Sequence, residues 1–586
     1  MHMKALLTGN EAIARGAWEA GVLFASAYPG TPSTEILENL ARYQEVSAQW
    51  APNEKVALET GIGASLAGAR VLVAMKHVGV NVAADPLFTF SYTGVNGGLV
   101  LVSADDPGMH SSQNEQDNRH LGAYAKVPIL EPADSQEAKD LVGLAFWLSE
   151  TFDTPVILRL TTRVAHGKSL VKLGEREERG LPPFKADPGK FVMVPANARR
   201  RHVAVEERME KLREFSEDFS ANRIEWGKDR RLGIITSGIS YHYAREALGE
   251  EASYLKLALI YPLPEKTIKK FAEEVEELYV IEELDPVIEN QVRALGLKVR
   301  GKEVFPILGE LSPELVAAGF RGQGEEVAAP QEGVVPRPPV MCPGCPHRGA
   351  FYVLKKLKVV VTGDIGCYSL GVAPPLSAMH SLICMGASVS NAFGFQEAYR
   401  AAGGEGPEVV AVIGDSTFLH SGMTGLLNVV YNGGRTTTII LDNDTTAMTG
   451  HQDHPATGMT LKGVPAPRAD LEKICRALGV EDVRTVDAYK LAEVEAEIRA
   501  ALQHEGPSVV IVRRPCVLLK GRGPKGYYVV DQDLCRRCRL CLRLGCPAIE
   551  VRGEQTWINE TLCNGCSLCE QVCPFNAIVR GGEESE

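Results

Sequence analysis

The chain has 586 residues, 45% of them hydrophobic and 23% charged, the composition of a folded multidomain protein rather than a disordered or collagen-like one. Sixty-two lysines and arginines stand against 74 acids, a net charge of −12, which excludes a globally basic surface for nucleic acid. No uncharged apolar run reaches the roughly 18–20 residues of a membrane span, and Met1-His2-Met3-Lys4-Ala5-Leu6-Leu7-Thr8-Gly9 is too short for the apolar part of an export leader, so a cytoplasmic protein with no membrane span is expected.

Along the chain, residues 22–27, 71–75, 99–103 and 155–160 read as buried strands, and 32–43, 53–69 and 135–150 as helices, the alternation of a parallel α/β sheet over 1–165. Residues 166–230 are charged and irregular, with one helical stretch near 204–217, and read as a connector. A second α/β unit is expected over 231–320, with strands at 233–236 and 278–283. Gly, Pro and Glu crowd 321–340, the composition of a linker. A third α/β unit follows over 341–520, then a cysteine-rich unit over 525–580 and an acidic tail expected to fray. The fold class predicted is α/β with three doubly wound parallel-sheet domains and a small C-terminal module. Repetition is visible only inside that module.

Cysteine is distributed unevenly: of 14, eight lie between Cys535 and Cys573, and none precedes Cys342. A disulfide framework does not fit that distribution; metal or redox chemistry does. Cys563-x2-Cys566-x2-Cys569-x3-Cys573-Pro574 matches the bacterial ferredoxin run, whose fourth cysteine serves the other cluster. Cys535-x2-Cys538-x2-Cys541-x4-Cys546-Pro547 is the same run with one more residue before its last cysteine. Crossing over assigns Cys535, Cys538, Cys541 and Cys573 to one [4Fe-4S] cluster and Cys546, Cys563, Cys566 and Cys569 to another. A structural zinc domain is the alternative, and zinc sites rarely use two such runs.

Gly414-Asp415-Ser416 follows the apolar stretch 409–413, and Asp442-Asn443-Asp444-Thr445 closes a second one some 28 residues on. The pair resembles the GDG…N signature of thiamine-diphosphate enzymes, with Ser416 in place of the second glycine. Magnesium wants an octahedron of oxygens and shares diphosphate oxygens with protein; Asp415, Asn443 and the Thr445 carbonyl would supply them from the C-terminal ends of adjacent strands, where parallel sheets bind ligands. Asn53-Glu54-Lys55-Val56-Ala57, running into a helix rich in Gly and Ala, is similar to the helix that carries these enzymes' activating glutamate. Glu54 takes that role, hydrogen-bonded to N1′ of the cofactor's aminopyrimidine. As a residue, Glu54 is equally an acid in a helix's first turn, favoured by the dipole.

Both ends of a cofactor site and two ferredoxin runs in one chain resemble the large (alpha) subunits of indolepyruvate ferredoxin oxidoreductases, within the thiamine-diphosphate 2-oxoacid:ferredoxin oxidoreductase family. The resemblance spans the chain. It implies two thiamine-diphosphate-binding folds, a transketolase C-terminal-like domain (signalled by Tyr261-Pro262-Leu263-Pro264 and Glu282-Glu283) and a 2[4Fe-4S] module. It implies oxidation of arylpyruvates with coenzyme A to aryl-acetyl-CoA and carbon dioxide, with an external ferredoxin as acceptor. Met448-Thr449-Gly450-His451-Gln452 belongs to the same likeness. Lys76-His77-Val78-Gly79 resembles the loop flanking the pyrimidine; His380, Cys384 and Gly386 would line the diphosphate side. Thr31, in Tyr28-Pro29-Gly30-Thr31-Pro32-Ser33, is a candidate 2-oxo acid contact, where a plain Pro-Gly turn serves as well. Cys342, Cys345, Cys367 and Cys516 resemble the ligands of a third, proximal [4Fe-4S] cluster; a Cys-Cys-His zinc knuckle using His347, or inert thiols, are the alternatives. Cys384 and Cys475 read as ordinary buried thiols. A domain carried by related single-chain enzymes is missing, which implies a small beta subunit in a heterodimer or α2β2 assembly. Another 2-oxo acid as substrate, a non-oxidative thiamine decarboxylase, or an electron-transfer subunit without catalysis are the competing functions.

Overall fold

A computed structural model describes residues 3–182, 185–322, 333, 335, 337–404 and 406–582. Most of the linker expected over 321–340, and the last four residues of the acidic tail, lie outside the described residues. The chain divides into two compact units, Met1–Gly333 and Val334–Glu586. No described helix is long and apolar enough to cross a membrane.

The first unit is built on a seven-stranded sheet. Its strands run Leu259–Tyr261, Ile129–Leu130, Val156–Thr161, Leu99–Asp105, Val71–Lys76, Phe24–Ala27 and Ser47–Trp50 in spatial order. All pairs are parallel except the edge pair of Leu259–Tyr261 with Ile129–Leu130. The central strands are buried along their whole length, as a parallel sheet covered on both faces requires. Helix Ser135–Phe152 starts on Asp134, whose carboxylate accepts the Glu137 N–H at 2.9 Å. Helix Glu54–Leu66 starts on Asn53, which accepts the Val56 N–H at 2.9 Å. Its Gly61 lies so close to the sheet that a Cβ there would stand 2.6 Å from a Val73 methyl.

A second sheet in this unit carries Glu277–Ile281, Leu232–Ser237, Ala252–Leu257 and the antiparallel edge Arg223–Glu225. Strand Leu259–Tyr261 leaves the 231–320 segment and closes the edge of the first sheet, so the expected second unit is not self-contained. A buried charge network ties the two sheets: Arg119 donates to Asp117, to Glu282 Oε2 at 2.6 Å and to the Glu283 carbonyl at 2.8 Å, and Arg159 donates to Asp105 at 2.9 Å. The connector is also more ordered than its composition suggests. Its helix runs Pro195–Glu217, longer than expected, and buries Val205, Met209 and Leu212. Lys168–Lys172 pairs antiparallel with the first strand, Lys4–Thr8, a pairing with no local signal in either segment.

The second unit has a six-stranded parallel sheet in the order Ser381–Leu382, Val360–Gly363, Val409–Gly414, Thr437–Asp442, Ser508–Arg513, Asp482–Asp487. The cysteine-rich module adds two antiparallel pairs, Tyr528–Val530 with Ile578–Arg580 and Ile549–Arg552 with Gln555–Ile558. Leu544, Ile549, Ile558, Leu568 and Ile578 of the module share one core with Val410, Val412, Val510 and Val512 of the sheet. Arg348 fastens the same seam, donating to the Leu544 carbonyl at 2.7 Å and to the Met341 carbonyl at 2.7 Å. The module is therefore packed onto the sheet rather than tethered to it.

Candidate active site and cysteine clusters

Four strands of the second unit's sheet end on residues singled out by the sequence. Val409–Gly414 runs into Asp415, Thr437–Asp442 into Asn443, Val360–Gly363 into Asp364 and then Cys367, and Ser508–Arg513 into the turn of Cys516. Asp415 is buried at 2% exposure, too far from water to be left without partners. Its carboxylate accepts the Ser416 N–H at 2.8 Å and the Asp444 N–H at 2.9 Å, and His454 Nε2 lies 3.3 Å away. Burial alone would raise the Asp415 pKa; the facing His454 charge and these N–H donors lower it overall. His454 was not singled out in the sequence, although it lies only three residues beyond His451.

The Asn443 amide stands 3.1 Å from both Asp415 Oδ1 and the Thr445 carbonyl. With its nitrogen turned inward, Asn443 donates to both. With its oxygen turned inward, three oxygens converge, and only a cation between them relieves their repulsion. That donor set suits a hard divalent ion. Ser416 Oγ accepts from the Thr446 hydroxyl at 2.9 Å. On the neighbouring strand, Asp364 accepts the N–H groups of Gly386 at 2.9 Å and Ser388 at 3.0 Å, where helix Ala387–Ala401 begins. His380 is exposed, and its Nδ1 accepts the Val361 N–H at 2.9 Å. Cys475 is buried as expected, whereas Cys384 is exposed, a correction that follows from its place on the turn before Gly386.

In the first unit Glu54 is buried, at 5% exposure, and Gly79 lies against it. Lys76 ends strand Val71–Lys76 beside them. Its ammonium donates to the Ser111 carbonyl at 2.6 Å, and Ser111 Oγ donates to the Thr31 carbonyl at 3.3 Å. Burial pulls Lys76 down to about 8, with the Asp106 and Glu54 charges opposing that shift. His77 is buried and its pKa is lowered, by burial first and by Lys76 second. Its Nε2 lies 3.3 Å from the Asn114 carbonyl. Val78 and Thr31 are half-buried. Thr31, Glu54, Lys76, His77, Val78 and Gly79, all singled out in the sequence, lie in the first unit; the burial of Lys76 and its hydrogen bond to Ser111 had no signal in the sequence.

The module gathers its cysteines in the crossed-over sets. Cys535, Cys538, Cys541 and Cys573 line one pocket. Cys546, Cys563, Cys566 and Cys569 line another, together with Pro343 and Gly344. A third set forms nearer the sheet, where Cys342, Cys345, Cys367 and Cys516 lie within electrostatic reach of one another. Burial pushes Cys345 up to about 12 and Cys367 up to about 11 and also raises Cys516, so these three keep their protons near neutral pH without a metal. Among the described residues no set of three or more His, Cys, Asp or Glu side chains closes on a single metal ion. A four-iron cube is larger than an ion and needs its sulfurs spread around a void. The third set adjoins the strand-end site: the Cys516 N–H donates to the Asn443 carbonyl at 2.9 Å, and Cys516 Sγ lies 3.8 Å from His451 Nε2.

Fold and motifs define a thiamine-diphosphate-type oxidoreductase with an iron–sulfur module. Residues 15–217 match the family described as pyruvate flavodoxin/ferredoxin oxidoreductase, thiamine diphosphate-binding. Residues 364–512 match the thiamine pyrophosphate enzyme C-terminal TPP-binding domain, and 556–579 the 4Fe-4S binding domain. The chain is 43% identical to indolepyruvate oxidoreductase subunit IorA of Archaeoglobus fulgidus, over 98% of its own length and 97% of that protein. It is 41% identical to the IorA subunit of Pyrococcus horikoshii and 40% to that of Methanothermobacter thermautotrophicus, in each case over 99% of this chain and 98% of the relative. The chain belongs to the family of indolepyruvate oxidoreductase IorA subunits.

Proposed function

We propose that this chain is the catalytic subunit for ferredoxin-dependent oxidative decarboxylation of arylpyruvates, indolepyruvate and phenylpyruvate-type acids, with coenzyme A as co-substrate. The products are aryl-acetyl-CoA, carbon dioxide and reduced ferredoxin. The observation that carries this reading is the adjacency of a metal-type oxygen set at Asp415, Asn443 and Thr445 to a chain of three cysteine sets in the same unit. A cofactor that releases electrons there has acceptors beside it.

Thiamine diphosphate, when bound, supplies the electron sink for decarboxylation of a 2-oxo acid. Asp415, Asn443 and the Thr445 carbonyl would hold Mg2+, whose charge would offset that of the diphosphate. Glu54 holds and exchanges the proton at the aminopyrimidine N1′, and its burial keeps water from competing for that proton. Thr31 contacts the 2-oxo acid. Cys342, Cys345, Cys367 and Cys516 would hold a proximal [4Fe-4S] cluster. The two crossed-over sets would hold two more, and these clusters would supply one-electron transfer to the external acceptor. The cysteine sets fit this use because each brings four thiols together, and in the proximal set burial raises the Cys345, Cys367 and Cys516 thiols, which keeps those three protonated without iron. A small beta subunit completes the enzyme as a heterodimer or α2β2 assembly in the cytoplasm.

The test is anaerobic co-purification with the small subunit, followed by a panel of 2-oxo acids with coenzyme A and a ferredoxin or viologen acceptor. Arylpyruvates are expected to drive acceptor reduction and acyl-CoA formation. Aldehyde as the main product, or full activity of the chain without its partner, overturns the respective part of the reading. Glu54→Gln is expected to retain cofactor and lose nearly all turnover.

A further inference from the structure

The two cysteine runs of the module are a repeat with one telling difference. The outer run reads Cys535-Arg536-Arg537-Cys538-Arg539-Leu540-Cys541, the inner one Cys563-Asn564-Gly565-Cys566-Ser567-Leu568-Cys569. Both runs bend the backbone into the left-handed region at the same two places, with φ of +54° at Arg537 and +59° at Arg539 matching +74° at Gly565 and +63° at Ser567. Glycine takes that conformation without strain, and side chains take it rarely. The inner run meets the demand with glycine and serine; the outer run places arginine at both positions. Local backbone preference therefore does not account for the arginines.

Their surroundings do. From Cys535 to Cys546 there are four arginines and no acid, in a chain whose net charge is −12. Arg536, Arg537, Arg539 and Arg543 are all exposed, as is Cys538, with Arg537 paired to the exposed Glu554 carboxylate at 2.9 Å. Arg536 and Arg539 line the cavity of the outer cysteine set, and Phe575, 42% exposed, lines it too. Leu534 is a second exposed apolar side chain in the same region, at 45%. The inner run faces protein instead: Asn564 Nδ2 donates to the Pro343 carbonyl at 2.7 Å. A small apolar contact rimmed by cations, over the outermost redox site, has the chemistry of a transient docking surface for an anionic partner.

We propose that Arg536, Arg537, Arg539 and Arg543 form the docking collar for an acidic, ferredoxin-type electron-carrier protein. This rests on the proposed activity for its source of electrons. In the complex one electron leaves the reduced outer cluster, which returns to its oxidised state. The carrier's cluster is reduced by one electron, and no proton moves. Opposite charge raises the encounter rate and sets orientation, and salt screens both.

The test uses the holoenzyme with its partner subunit. One variant gives the outer run the inner run's residues, Arg536→Asn, Arg537→Gly and Arg539→Ser, which suits its backbone. A second, Arg543→Glu, lies outside the left-handed turns. In Arg543→Glu, whose arginine lies outside the lining of the outer cysteine set, iron content and the electron paramagnetic signals of the clusters are expected to be unchanged. So is arylpyruvate-driven reduction of methyl viologen, a small cation with no use for the collar. The KM for an acidic ferredoxin is expected to rise about tenfold or more at low salt and to lose most of its salt dependence. Binding of oxidised ferredoxin, measured without turnover, is expected to weaken in parallel. Unchanged ferredoxin binding, KM and salt dependence in both cluster-replete variants overturns the collar. If the wild type reduces no viologen with any 2-oxo acid, the activity reading fails, while the binding measurement still decides the collar.

Discussion

A methyl group on Gly79 would stand 2.7 Å from both Cγ and Oε1 of Glu54. The carboxylate occupies its position because residue 79 has no side chain. Gly79 lies in helix His77–Val82, and alanine is a better helix former than glycine by about 0.8–1 kcal/mol. Gly79→Ala is therefore expected to fold with its melting temperature within a few degrees of wild type, while the Glu54 side chain is pushed aside. Turnover is expected to drop by about tenfold or more, since a displacement of that size removes a reacting group from its place. Wild-type turnover in this variant would argue that the Glu54 carboxylate takes no part in the reaction.

Lys76 predicts a stability effect with a definite sign. Its pKa falls from 10.5 to about 8, chiefly by burial. Between those values the unfolded chain binds more protons than the native one, so this group makes stability rise with pH from about 8 to about 10.5. Below that window the charged ammonium costs the fold about 3 kcal/mol, partly offset by the hydrogen bond it donates to Ser111. Lys76→Met is expected to be more stable than wild type near pH 7 in denaturant titrations, and to lack that rise above pH 8. Turnover is expected to fall, since the ammonium lies next to Glu54 and the Thr31 loop.

The crossed-over cysteine sets can be told apart by which spectrum is lost. Cys538→Ser and Cys573→Ser are expected to perturb the same cluster, although 35 residues separate them. Cys546→Ser and Cys569→Ser should perturb the other. Paramagnetic resonance of dithionite-reduced variants reads this directly. Pairing of Cys538 with Cys546 in one phenotype would mean that each run holds its own cluster.

Gly386 turns at φ +86°, and a Cβ there would meet Ser421 Cβ at 2.5 Å and the Ser421 backbone carbon at 2.9 Å. Both the left-handed backbone and the clash oppose a side chain. Gly386→Ala is expected to destabilise the second unit by about 2 kcal/mol or more. It should also weaken thiamine diphosphate binding, because Gly386 N–H is one of the donors that Asp364 holds at the start of helix Ala387–Ala401. Calorimetry gives both numbers.

The two cysteine runs, the strands ending at Asp415 and Asn443, and the helix opening on Glu54 were legible because spacing and apolar period are local properties. Three thiols at two-residue intervals can meet one cluster wherever the run is placed, and a buried parallel strand is a short apolar run whatever its neighbours. The pairing of Lys4–Thr8 with Lys168–Lys172 and the transfer of Leu259–Tyr261 to the first sheet depend on segments more than a hundred residues apart, which no period records. The ion pair of His454 with Asp415, the burial of Lys76 and the exposure of Cys384 likewise depend on what surrounds each side chain once the chain has folded. By itself, then, the sequence determined which chemical groups this protein carries and at what intervals. Only the tertiary structure decided which of them are brought together and how far each is removed from water, because burial and long-range contact are properties of the packed chain.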